Sequence, residues 1–113
     1  MIILTDKSFK KEVIESKLPV LVDFYADWCG PCQMLGPVLD DLSKDEDYKN
    51  KLKFAKLDTE QFGSLAGDNN VQGIPCLIIF KNGKEATRIV GFAPKAIMKA
   101  KINSALESIS KAK

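Results

Sequence analysis

The segment Cys29-Gly30-Pro31-Cys32 holds the clearest chemistry in the sequence. Two cysteines at this spacing, where a strand hands over to a helix, come within disulfide reach with little backbone movement. Val20 to Ala26 reads as the strand and the residues from Gly30 read as the helix, which puts Cys29 at the helix N-terminus. Unsatisfied amides and the positive end of the helix macrodipole favour a thiolate there, and the thiolate is the species that attacks disulfides. Cys29 is therefore the expected nucleophile, exposed to partners. Cys32, one turn further in, is the expected resolving thiol, more buried and with a higher pKa. Gly30 lets the chain leave the strand closely, and Pro31 presets φ in the first turn, where its missing donor costs nothing. The dipeptide thus tunes geometry and redox poise. A zinc half-site is the competing use of such a pair, but tetrahedral zinc wants four ligands. Only Cys76 is available besides the pair, and the chain has no histidine. No metal is expected.

Asp23 interrupts an otherwise apolar strand. Burying a charged, unpaired carboxylate costs several kcal/mol, so its pKa is expected to rise. A carboxyl titrating near neutrality suits a general base that takes the Cys32 proton through water. The competing reading is a structural carboxylate with its hydrogen bonds satisfied. Lys56 also interrupts an apolar strand and reads equally well as a solvated strand residue. Trp28, beside the nucleophile, reads as part of an apolar rim that a substrate polypeptide covers, with Ile74, Gly91 and Phe92 completing it. Packing and turn formation are the alternatives for these four. The absence of histidine excludes Ser-His and Cys-His catalysis.

These residues need a scaffold, and 113 residues with 45% hydrophobic content suffice for one compact domain over residues 1–113 without a linker. With 17 basic and 15 acidic side chains there is no polybasic field, so neither nucleic acid nor a membrane surface is an expected partner. The N-terminal Met1 to Lys7 reaches charge before a secretory apolar run accumulates, and no later stretch approaches membrane-spanning length. A soluble, cytoplasmic protein is expected. Thiols are kept reduced there, which points a close cysteine pair toward redox catalysis rather than a structural crosslink.

Thr5 or Asp6 can cap a first helix carrying Phe9, Val13 and Ile14 on one face. Val20 to Ala26 is apolar on both faces except at Asp23, as in a central strand covered on both sides. Met34, Leu35, Val38, Leu39 and Leu42 recur at helical spacing from Gly30 to about Tyr48, with Pro37 expected to kink the helix. Leu52 to Leu57 reads as a strand and Thr59 to Gly67 as a short helix. Two apolar runs, Cys76 to Phe80 and Ala86 to Val90, flank an Asn82-Gly83 hairpin signal. From about Pro94 to Ile109 an amphipathic helix turns Ile97, Ile102, Leu106 and Ile109 inward and Lys95, Lys99, Lys101 and Lys111 outward. The order β-α-β-α-β-α-β-β-α implies an α/β fold with a mixed sheet flanked by helices on both faces.

Taken together, Val22 to Cys32 with its Trp28-Cys29-Gly30-Pro31-Cys32 core, Pro37, Lys56-Leu57-Asp58, Gly73-Ile74-Pro75, Phe80-Lys81-Asn82-Gly83 and Gly91 resemble the thioredoxin family across essentially the whole chain. The resemblance implies a thioredoxin fold and reduction of disulfides in target proteins through a reversible Cys29–Cys32 disulfide with no bound cofactor. Recycling would fall to a separate thioredoxin reductase, since nothing in the chain could bind NADPH or flavin, and a monomer is expected. The resemblance also implies that Pro75 is cis, presenting the backbone of Ile74 to an extended substrate, and that Lys56 lies near Asp23 and tunes it. Two positions depart from the pattern. Tyr25 stands where the family often has a larger aromatic, and Cys76 follows the cis-proline where threonine is common. Cys76 is read either as a small buried residue or as a third reactive thiol. The Gly-Pro dipeptide argues against glutaredoxin-like and oxidase-like relatives; a docking module with idle thiols is the non-catalytic alternative.

Overall fold

The computed structural model describes residues 1–111. The chain forms strands β1 (Ile2–Ile3), β2 (Val20–Tyr25), β3 (Lys53–Asp58), β4 (Cys76–Lys81) and β5 (Lys84–Val90), with helices α1 (Gly30–Ser43), α2 (Gly63–Asp68) and α3 (Lys95–Lys111). They make an α/β fold around one five-stranded sheet of order β1-β3-β2-β4-β5. β3 runs parallel to β1 and β2, whereas β4 is antiparallel to both β2 and β5. The sheet is mixed, as the element order implies.

β2 is paired on both edges, and Val20 to Phe24 are all buried. Alternation splits its side chains between two cores. Val20, Val22 and Phe24 join Ala55, Leu57, Ile78 and Phe80 on one face, beneath Phe9, Val13 and Ala66. Leu21 joins Phe54, Leu77 and Ile79 on the other, beneath Leu35, Leu39 and Leu42 of α1 and Met98 and Ile102 of α3. Asp23 points to this second face.

Several local expectations shift, each for an identifiable reason. Thr5, not Asp6, caps the first turn: its Oγ1 accepts from the amides of Lys7 and Ser8 at 3.2 Å. The helix beyond is only a five-residue π-helical segment, Lys10–Ile14, and Ile14 is left 37% exposed. α1 runs unbroken through Pro37 and stops at Ser43, short of Tyr48. Asp45 Oδ1 accepts from Asp47 N at 2.9 Å and starts a separate 3-10 turn, Glu46–Tyr48, that seats the Tyr48 ring in the core. α2 begins at Gly63 because Asp58 Oδ1 ties up the amides of Glu60 and Gln61 in a preceding turn. In α3 the inward residue is Met98, fully buried, and Ile97 is 52% exposed. Met98, Ile102, Leu106 and Ile109 share one stripe at helical spacing, and Ile97 sits about a quarter-turn off it. Lys99 reaches across to Asp45 and Asp47 at 2.8 Å each and pins α3 to the segment after α1.

The β4–β5 hairpin turns on Asn82 (φ 55°) and Gly83 (φ 79°), the left-handed pair that a two-residue turn requires. A Cβ on Gly83 would stand 3.0 Å from the Ile14 carbonyl oxygen. Gly83→Ala is therefore expected to destabilise the protein by on the order of 1–2 kcal/mol in urea unfolding. Gly67→Ala, in open space within α2, is expected to stabilise it by about 0.5–1 kcal/mol.

Candidate active site

β2 ends in the middle of the sheet and delivers the chain through Ala26, Asp27 and Trp28 to the start of α1. Cys29 is the helix N-cap, in extended conformation (φ −86°, ψ 113°), and Gly30 and Pro31 fill the first turn. The Cys32 amide donates to Cys29 Sγ at 3.2 Å, so an otherwise orphaned helix donor points at the sulfur. That placement favours a Cys29 thiolate. The two sulfurs are joined as a disulfide, with the Cα atoms 5.2 Å apart.

Both cysteines are 5% exposed, which corrects the expectation of an exposed Cys29 above a more buried Cys32. Ile74 and Tyr25 pack against the pair, and Cys29 Sγ lies 3.9 Å from the Ile74 carbonyl oxygen. The loop before β4 thus covers Cys29 as fully as the helix covers Cys32. The difference between the sulfurs lies in their electrostatic surroundings: Cys29 receives the helix-end amide, and Cys32 lines a polar cavity.

That cavity, about 150 Å³, lies between β2, β3 and the first turns of α1. Asp23, Tyr25, Asp27, Cys32, Gln33 and Lys56 line it, and it has the room and polarity to admit water. Asp23 is 3% exposed and its Oδ1 has no hydrogen-bond partner. Burial pushes its pKa from 3.8 to about 7, and the Lys56 ammonium opposes the rise. Asp23 and Lys56 are register partners on adjacent parallel strands, so they share a face of the sheet. Lys56 forms no ion pair among the described residues; its Nζ lies 5.5 Å from the centroid of the Tyr25 ring.

Of the residues expected on the rim, Trp28 is 68% exposed and Phe92 36%. The Ile74–Pro75 peptide bond is cis. Gly91 donates its amide to the Pro75 carbonyl at 2.8 Å from a left-handed conformation (φ 94°) that a side chain would strain. Cys76 is free and 1% exposed. Its register partner is Phe24, so it points into the face opposite Asp23. Burial pushes its thiol pKa up despite the nearby Arg88 guanidinium. The structure does not bring Cys76 into one cluster with the pair, and among the described residues no group of three His, Cys, Asp or Glu is placed to hold a metal ion.

Gln33, Tyr25 and Asp27 are polar cavity residues that reading the sequence did not assign. Gln33 Nε2 donates to the Asp27 carbonyl at 2.6 Å and edges the cavity mouth. Its signal was a polar residue one turn past Cys29. For Tyr25 the signal was alternation, which puts it on the same face of β2 as Asp23.

The family model described as Thioredoxin matches residues 1–104. Curated relatives are similar along most of their length. A thioredoxin of Rickettsia felis is 43% identical over 108 residues, 96% of this chain and 94% of its own. One of Synechocystis sp. is 44% identical over 95 residues, 84% and 87% of the two chains. One of Pyropia yezoensis is 42% identical over 100 residues, 88% and 92%.

Asp23 makes stability depend on pH. Unfolded, its carboxyl ionises near 3.8; folded, it holds its proton to about 7. Between those values the folded state binds a proton that the unfolded state has released, so stability falls as pH rises through the window and the deficit is complete above it. Asp23→Asn is expected to match the parent below about pH 4 and to exceed it above pH 7 by on the order of 4 kcal/mol. Denaturant unfolding of the oxidised proteins at the two pH extremes measures this; an advantage of equal size at both would mean that Asp23 does not carry the shift.

Proposed function

Since the chain belongs to the thioredoxin family and is a protein thiol–disulfide oxidoreductase, we propose that Cys29 is its nucleophile, Cys32 its resolving thiol and Asp23 the base that serves Cys32. The observation that carries these roles is the joined pair at the N-terminus of α1, one sulfur under a helix-end amide and the other on the cavity of a neutral-range carboxyl.

In the reduced protein the Cys29 thiolate attacks one sulfur of a target disulfide. A mixed disulfide forms and the other target sulfur leaves as a thiolate. Cys32 then loses its proton to the Asp23 carboxylate through cavity water and attacks Cys29 Sγ. The Cys29–target bond breaks, the target's second sulfur leaves, and the Cys29–Cys32 disulfide closes. Two electrons have passed to the target. The protonated Asp23 returns its proton to solvent or to the departing thiolate, and a base poised near 7 suits both directions of transfer. Lys56 tunes Asp23 through its charge.

The substrates on this reading are disulfide-bearing proteins, seated on the rim of Trp28, Ile74, Gly91 and Phe92 with an extended segment along the Ile74–Pro75 backbone. A separate thioredoxin reductase restores the dithiol, and the protein works as a monomer without a bound cofactor. No described helix is long and apolar enough to cross a membrane. An unpaired cysteine, Cys76, suits a reducing compartment such as the cytoplasm.

Reduction of insulin disulfides is expected to vanish in Cys29→Ser, and turnover surviving in that variant would sink the reading. Cys32→Ser is expected to accumulate covalent complexes with target proteins that dissolve on adding dithiothreitol. In stopped-flow measurements Asp23→Asn is expected to slow resolution of the mixed disulfide on the order of a hundredfold while changing its formation little. Equal slowing of both steps would remove the base role.

A further inference from the structure

We propose that Tyr25 is a positioning residue for the proton-transfer step: its ring holds the Lys56 ammonium toward itself and so keeps that charge off the Asp23 carboxyl. The proposal rests on the reading of Asp23 as the base for Cys32.

The geometry comes from strand register. Asp23 and Tyr25 project from the same face of β2, and Lys56 is the partner of Asp23 on β3. A lysine placed there has two attractive ends to reach for, a buried carboxylate and an aromatic face. Lys56 Nζ lies 5.5 Å from the Tyr25 centroid, within cation–π range. It makes no ion pair with Asp23, whose Oδ1 is left without a partner. Lys56 stays half-buried there, and a strongly hydrated point charge favours a seat not fully closed from solvent. Seated on Asp23 instead, it would stabilise the carboxylate, and an opposite charge at contact lowers a carboxyl pKa by about one to three units.

The other groups around Asp23 do not take over this role. From the loop after β2, Asp27 faces the cavity, and from α1, Cys32 and the neutral Gln33 do. Asp58 of β3 is the register partner of Tyr25, and with Asp27 it adds negative charge around the ring. From β4, the partner of Asp23 is the apolar Leu77, while Cys76 lies on the opposite face. α3 contributes no side chain to the cavity among the described residues. Lys56 is the cation beside Asp23, so where Tyr25 holds it decides the charge of the base.

The test reads the Asp23 carboxyl directly, by NMR titration of its 13C resonance in the oxidised full-length protein, where neither thiol of the pair titrates. Tyr25→Leu is expected to lower the Asp23 midpoint by about one pH unit or more, and Tyr25→Phe, which keeps the ring, to leave it in place. Removing the ring also wets the cavity, so a double-mutant cycle with Lys56→Met separates the two causes. In the Lys56→Met background, Tyr25→Leu is expected to shift nothing. If Tyr25→Leu does not fold, pentafluorophenylalanine at position 25 keeps the shape and reverses the attraction, and is expected to lower the midpoint likewise. A shift that persists without Lys56, an unchanged midpoint in the ring-altered proteins, or an equal shift in Tyr25→Phe would each overturn the proposal. Because the titration does not depend on turnover, a failed base role shows in mixed-disulfide kinetics and leaves this result standing or falling separately.

Discussion

The arrangement depends on a single strand that is closed on every side. β2 has a hydrogen-bonded neighbour on each edge and a helical layer over each face, so each of its first five side chains is buried whichever way it points. A strand so enclosed cannot slip: moving its register by one residue would exchange the contents of the two cores and thrust Asp23 among Phe9, Leu57 and Phe80. Its end point is therefore fixed, and with it the position at which α1 begins. Cys29 acquires its place at a helix N-terminus from the packing of Leu21 and Val22 several residues earlier.

The same enclosure underlies the base role proposed for the one polar residue inside it. A carboxyl on an edge strand would be hydrated and would titrate in the ordinary acid range. At position 23 burial raises it to about 7, and the Lys56 ammonium, 5.5 Å from the Tyr25 ring centroid, only moderates the rise. The fold bears a destabilising group where the proposed chemistry requires one. Around it the covering layers are tied down by contacts with no chemical role. Lys99 clamps α3 to Asp45 and Asp47, and the Tyr48 hydroxyl donates to Asn103 at 2.7 Å.

The order of elements, the central strand, the hairpin and the cysteine pair at a helix start were legible in the sequence, because each is written in local chemistry: a continuous apolar run, an Asn-Gly turn, a Gly-Pro first turn. Asp23 stood out for the same reason, as a charge in an apolar run. What was not legible depends on distant partners. Helix ends moved wherever a nearby side chain captured the amides, as Asp45 and Asp58 do. Ile97 and Met98 are one residue apart and both apolar, so only the docked angle of α3 decides which is inside. The family resemblance places Ile74 beside the pair, but how fully it covers Cys29 depends on a contact between residues 45 positions apart, which composition near the pair does not carry. Residues 112 and 113 lie outside the described structure.

That covering changes how the two cysteines are told apart. With equal exposure, access cannot be what assigns the roles of attacker and resolver. Charge and hydrogen bonding can. A thiolate at the N-cap is stabilised by the Cys32 amide and the end of the helix without moving any proton acceptor into place. A thiolate at position 32, inside the first turn, has no such amide, and the base proposed for it is the Asp23 carboxyl that lines the same cavity. On the proposed roles the first step can run with the helix alone, whereas the second waits on a proton. On those roles the incoming target does not select the attacking sulfur; the fold does, by making only one of the two ready before the target arrives.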